Sequence, residues 1–125
     1  MTKGKFSIKK RMQSFKYAFN GLRILLNGEH NSWIHIFVTI CVLAAGFAFK
    51  ISTGEWIAVI FCIGMVFALE LVNTAIENMA DFVSKEHHES IKKIKDLAAG
   101  AVLVGAVAAA VIGLIIFLPK IVELI

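Results

Sequence analysis

The sequence is poor in cysteine, with two among its 125 residues, and both Cys41 and Cys62 fall inside apolar runs. A disulfide framework is therefore not expected, and buried free thiols are the natural reading. Charge is also scarce. Charged residues make up 18% of the chain against 58% hydrophobic, and the mean hydropathy is +0.79. That is too apolar for a soluble domain of this size and points to a single integral membrane domain. The N-terminal region lacks the short apolar segment and cleavage site of a secretory signal. Its charges (Lys3, Lys5, Lys9, Lys10, Arg11, Lys16 and Arg23) are spread out and interleaved with aromatics, so this end is expected to be retained.

Three long apolar runs are present: Trp33 to Phe49, Trp56 to Leu69 continuing through a polar stripe to Val83, and Leu97 to Leu118. Each is about long enough to cross a hydrocarbon core of roughly 30 Å. The expected architecture is an all-α integral membrane protein in one domain spanning 1–125, with membrane helices over 33–49, 56–83 and 91–118. An amphipathic surface helix over 6–29 precedes them, because Ile8, Met12, Phe15, Phe19, Leu22 and Leu26 recur at alternating spacings of four and three. Its cations Lys9, Lys16 and Arg23 can meet anionic headgroups while the apolar face enters the interface.

Seven of the thirteen Lys and Arg precede the first span, one (Lys50) lies between spans one and two, four (Lys85, Lys92, Lys93, Lys95) lie between spans two and three, and Lys120 follows. The positive-inside rule then puts the N-terminus and second loop in the cytoplasm and the first loop outside. Trp33 and Trp56 are read as interfacial anchors, and Ser52-Thr-Gly-Glu55 has capping-box spacing for a short outer turn. In span three, Ala101, Gly105, Ala109 and Gly113 recur at every fourth position, which favours close helix approach in assembly or within one chain.

Glu70, Asn73, Glu77 and Asp81 break the second run. At roughly 100° per residue their spacings keep all four within an arc of roughly 80°. An acidic group facing hydrocarbon costs on the order of 3 kcal/mol, so such a stripe is costly unless it binds something. Counted at 1.5 Å per residue from Trp56, Glu70 lies about 21 Å along the helix, Glu77 about 31 Å along it, and Asp81 in the headgroup layer. This ladder suits the joining of a membrane-embedded hydroxyl to a soluble phosphate donor.

Phosphoryl transfer from Mg·ATP needs oxygen ligands for the metal, cations for the phosphates and often a carboxylate to take the hydroxyl proton. Glu77 and Glu29 are candidate Mg²⁺ ligands, Lys95 a phosphate contact, Glu70 a general base and Asn73 an orienting hydrogen-bond partner. No Walker A sequence, glycine-rich nucleotide loop, catalytic loop or Asp-Phe-Gly motif is present. The reading from another class is a small proton-coupled transporter, with Glu70 carrying the proton and Glu77 and Asp81 lining its exit. Nucleic-acid binding does not fit, since the basic residues are juxtamembrane. His87-His88-Glu89 reads as a solvated loop, because adjacent residues do not share a helix face. His35, inside span one, reads as a satisfied interhelical hydrogen bond.

The stripe Glu70-x-x-Asn73-Thr74-Ala75-x-Glu77-x-x-x-Asp81 and the later Lys95-Asp96-x-x-Ala-Gly-Ala-Val102 resemble the signatures of the small prokaryotic diacylglycerol kinase family. Gly21-Leu22-Arg23 and Glu29 fall at family-like spacing, and the resemblance covers nearly the whole chain. It implies a homotrimer in the bacterial inner membrane that phosphorylates a lipid hydroxyl with Mg·ATP at a cytoplasmic site shared between subunits. It also implies that Glu70 is the catalytic base, that Glu29 and Glu77 bind metal, and that Asn73, Lys95 and Asp96 complete the nucleotide and phosphate site. Asp81 and Glu86 would lie nearer the nucleoside, and Arg23 could reach a phosphate. The closing Gly113-Leu-Ile-Ile-Phe-Leu-Pro119-Lys120 resembles the Gram-positive branch, whose members act mainly as undecaprenol kinases. Undecaprenol is thus the first choice of acceptor and diacylglycerol the second. His30 departs from the family, where Arg often follows the glutamate.

Overall fold

The computed structural model describes residues 6–28, 30–84 and 88–125. Four helices follow one another: α1 (Ile8–Gly28), α2 (His30–Ala48), α3 (Thr53–Val83) and α4 (Glu89–Leu124). The last three are long and apolar enough to cross a membrane. At 1.5 Å per residue, α3 and α4 are about 46 and 54 Å long, so both must extend beyond the hydrocarbon into the headgroup layer. The architecture agrees with the sequence pattern: all-α, with an N-terminal helix ahead of three apolar ones.

Helix α1 begins after Ser7, whose hydroxyl accepts from the Lys10 amide at 3.4 Å. Its apolar stripe stays outward, with Ile8, Met12, Phe15 and Phe19 all exposed, as a face meant for an interface should be. The residue it buries is Leu25, beside that stripe. There the buried Ser32 hydroxyl of α2 donates to the Leu25 carbonyl at 3.1 Å. This satisfies one of the acceptors that a helix C-terminus leaves open.

The α2–α3 turn is closed from both sides. Lys50 takes the left-handed conformation at φ 52°, the Ile51 amide donates to the Gly46 carbonyl at 3.2 Å, and the Lys50 amide donates to the Phe47 carbonyl at 3.3 Å. This pairing is a Schellman termination, with lysine where glycine is usual. Ser52 and Glu55 then form a reciprocal capping box, so α3 starts at Thr53, ahead of the expected residue 56. Trp56 packs on Phe47 with ring centroids 4.9 Å apart, and its indole lies so close to Gly46 that a Cβ there would come within 2.7 Å of it. The anchor expected on α3 is therefore spent on the hairpin, whereas Trp33 on α2 is exposed.

The apolar core sits at this hairpin end, where Ile51, Val59 and Ile116 are buried and Phe49 reaches Phe117 of α4. Helix α4 does not stop before Pro119 but runs on to Leu124. A proline inside a helix removes one donor and crowds the preceding turn. Here the Lys120 ammonium donates to the neighbouring Ile116 carbonyl at 3.3 Å and pairs with Glu55 at 2.8 Å, tying the end of α4 to the start of α3. Of the small-residue stripe, Gly105 is buried against Leu69 within the chain, and a Cβ there would collide with the Leu69 methyl. Cys62 is buried as expected, but Cys41 is not: it lies on the outward face of α2.

Replacing Lys50 with Gly should stabilise the hairpin by roughly 1 kcal/mol, since glycine enters the left-handed region without the Cβ penalty. A thermal melt of the purified protein in detergent reads this as a raised midpoint. A lowered midpoint would contradict the account of the turn.

Candidate active site

Helix α3 carries Glu70, Asn73, Glu77 and Asp81 along one side, and their exposure rises in that order. Glu70 is buried at 7% exposure, Asn73 and Glu77 are half-buried, and Asp81 is exposed. Of the four, Glu70 is thus the most enclosed by neighbouring helices and Asp81, near the end of α3, the most open.

Each rung has a partner of its own. Glu70 Oε1 lies 2.8 Å from Nε2 of His35 on α2, so the histidine makes the interhelical hydrogen bond expected of it. The Asn73 side-chain amide donates to Glu77 Oε1 at 3.2 Å. Asn73 thus orients Glu77, one turn toward the water, and the group oriented against Glu70 is His35. Spacing along α3 put Asn73 and Glu70 on one face but held no information about α2, so this exchange of partners was not legible. Asp81 Oδ1 meets the Lys95 ammonium at 2.5 Å and bridges α3 to α4 at the exposed end.

Lys95 and Asp96 are neighbours in sequence, yet they point to different surroundings. Asp96 pairs with Lys92 along its own helix at 2.6 Å and lines a wide groove of about 1030 Å³ with Met65, Leu69, Lys93 and Gly100. Arg23 is exposed on α1. Neither is joined to the ladder by a hydrogen bond or ion pair among the described residues. Glu29 and Glu86 lie outside the described residues.

A narrower apolar cleft of about 340 Å³ opens between α2, α3 and α4. Small residues on α4 (Ala106, Ala109, Ala110 and Gly113) leave this space, and His35 and Thr39 supply its polar edge on α2. The partner of Glu70 is therefore also a wall of an apolar cavity at membrane depth.

The residues suit a hard cation. Asn73 Oδ1 is buried without a hydrogen-bond partner, on the same amide whose nitrogen donates to the Glu77 carboxylate. An orphaned amide oxygen next to a carboxylate is the donor set that Mg²⁺ prefers, and that ion usually keeps further waters and substrate phosphate oxygens. Among the described residues, no group of three or more His, Cys, Asp and Glu stands together to hold a metal.

Comparison with known proteins bears on what this arrangement does. The family model for prokaryotic diacylglycerol kinase matches residues 16–117. An undecaprenol kinase of Bacillus subtilis is 44% identical over 108 residues, covering 86% of this chain and 88% of its own length. A diacylglycerol kinase of Synechocystis is 35% identical over 89% of this chain and 64% of its own length. One from Helicobacter pylori is 29% identical over 82% of this chain and 85% of its own length. The matched region takes in the whole ladder, its α2 partner and the Lys95-Asp96 pair. This membrane-spanning chain belongs to the prokaryotic diacylglycerol kinase family.

Proposed function

We propose that this lipid kinase transfers the γ-phosphate of ATP to the hydroxyl of undecaprenol at the cytoplasmic face of the bacterial inner membrane, giving undecaprenyl phosphate. The observation that carries the mechanism is the buried, hydrogen-bonded Glu70 carboxylate at membrane depth, beside an apolar cleft and at the head of a ladder leading to water. The choice of acceptor rests on the 44% identity to an undecaprenol kinase. Relatives named diacylglycerol kinase, at 35% and 29% identity, make diacylglycerol the second candidate. Membership of a kinase family displaces the transporter reading.

In this mechanism Glu70 takes the proton from the lipid hydroxyl as its oxygen forms a bond to the γ-phosphorus. The bond from that phosphorus to the β–γ bridging oxygen breaks, and ADP leaves. Glu77, Asn73 Oδ1 and Glu29 would hold Mg²⁺, which when bound neutralises charge on the phosphate oxygens. Lys95 supplies a cation for the phosphates and gives up Asp81 as its partner when nucleotide arrives. Asp81, Asp96 and Glu86 serve the nucleotide, and Arg23 is the cation available from α1. Lys92 competes for Asp96 as Asp81 does for Lys95, so these exposed pairs, individually weak, are exchangeable. A homotrimer, in which a neighbouring subunit brings Asp96 or Arg23 to the ladder, completes the reading.

Three measurements check it. Transfer of labelled γ-phosphate from Mg·ATP in mixed micelles should favour undecaprenol over diacylglycerol when both are offered. Preference for diacylglycerol would reverse the acceptor, and labelling of neither by folded protein would remove the kinase assignment. Glu70→Gln should lower kcat by at least about 100-fold while Mg·ATP binding stays within about twofold, the pattern of a lost proton acceptor. Glu77→Gln should shift the Mg²⁺ titration of activity to higher concentration by about tenfold. An unchanged titration would remove Glu77 from the metal site.

A further inference from the structure

Helix α2 is apolar along most of its length, yet His35 stands in its second turn with its ring toward α3. Three contacts hold it. Nε2 lies 2.8 Å from Glu70 Oε1, the ring stands edge-on to Phe67 with centroids 6.2 Å apart, and Thr39 Oγ1 donates to the His35 carbonyl at 2.7 Å. The side chains of His35 and Glu70 are only 25% and 9% exposed, so water screens this bond little.

His35 is the only hydrogen-bond partner of Glu70 among the described residues. A carboxylate that is to take a proton must start ionised and can then only accept, so in the base role Glu70 receives Nε2–H from His35. The second oxygen, Glu70 Oε2, has no protein partner and is not sealed from its surroundings, because the one fully enclosed unpartnered side-chain atom among the described residues is Asn73 Oδ1. One oxygen is anchored and the other is left open. His35 also lines the apolar cleft between α2, α3 and α4, so the residue that anchors the carboxylate borders space available to an apolar chain.

We propose that His35 is a positioning residue for phosphoryl transfer: its Nε2–H holds Glu70 Oε1 and thereby presents Oε2 to the acceptor hydroxyl. This rests on the reading of Glu70 as the base. A glutamate has three rotatable bonds, and proton transfer needs the acceptor within about 2.6–3.2 Å of the hydroxyl oxygen. Held from a separate helix, the carboxylate keeps its geometry even where no water can replace the bond. His35 touches neither the phosphoryl group nor ATP, so its effect falls on turnover and not on nucleotide affinity.

The structural alternative is that His35 serves only as an aromatic filler against Phe67. Two substitutions separate these roles, because His35→Phe keeps a ring and removes the donor, whereas His35→Gln keeps a donor at similar reach and removes the ring. The assay is labelled phosphate transfer by the full chain in mixed micelles, with folding checked by circular dichroism. His35→Phe should lower kcat on the order of 10- to 100-fold with KM for Mg·ATP and lipid within about twofold, and His35→Gln should stay within about threefold of the parent protein. In the Glu70→Gln background His35→Phe should change the residual rate by less than about twofold, as expected for a residue acting through Glu70. Parental kcat in His35→Phe, or a loss in His35→Gln as large as in His35→Phe, would overturn the proposal. Full turnover in Glu70→Gln would instead overturn the base assignment on which it depends, so the two failures are distinguishable.

Discussion

A carboxylate held at membrane depth is the constraint on which the rest of this structure turns. Leaving Glu70 bare among hydrocarbon would cost several kcal/mol, and a group so placed persists only where the protein supplies a partner. The partner comes from another helix, His35 on α2. The relative height of α2 and α3 must therefore be held well enough to keep a 2.8 Å bond between them.

That register is set far from the bond. The hairpin end has a Schellman termination on α2, a reciprocal capping box on α3, and an indole packed over a glycine. Each device leaves the chain little freedom to slide, and together they set where α3 begins relative to where α2 ends. Lys120 extends the same fixing to α4 by joining Glu55 to the helix past Pro119. The hairpin half is thus closed by apolar packing, capping and one ion pair. The opposite half adds polar contacts to its apolar packing: His35 to Glu70 and Lys95 to Asp81 join helices, and Asn73 to Glu77 runs along α3. The hairpin end is thus fixed by packing and capping, while the far end carries exposed ion pairs that water can contest.

The polar contacts differ in how readily they yield. The Glu70 bond is enclosed, and nothing in hydrocarbon can substitute for it. The Asp81 and Asp96 pairs lie on the exposed side, where water and phosphate compete with protein for the lysines. Asn73 falls between, with its amide committed to Glu77 and its oxygen enclosed and unsatisfied. Leaving a buried acceptor unpaired is costly in a finished structure, which makes this oxygen a natural ligand for an arriving cation.

Much of this was legible along the chain, because it depends on periodicity. The apolar runs, the amphipathic α1 stripe, the capping box and the shared face of Glu70, Asn73, Glu77 and Asp81 follow from residue spacing and helical geometry alone. Tertiary structure decided everything that depends on which helix lies opposite which residue. It gave Glu70 its partner 35 positions away, joined Lys95 to Asp81 across two helices while Asp96 paired along its own, and met the lysine that follows Pro119 with a glutamate from the start of α3. A sequence records what one helix presents on each face. Which of those groups meet depends on the height and rotation of neighbouring helices, and only packing sets these.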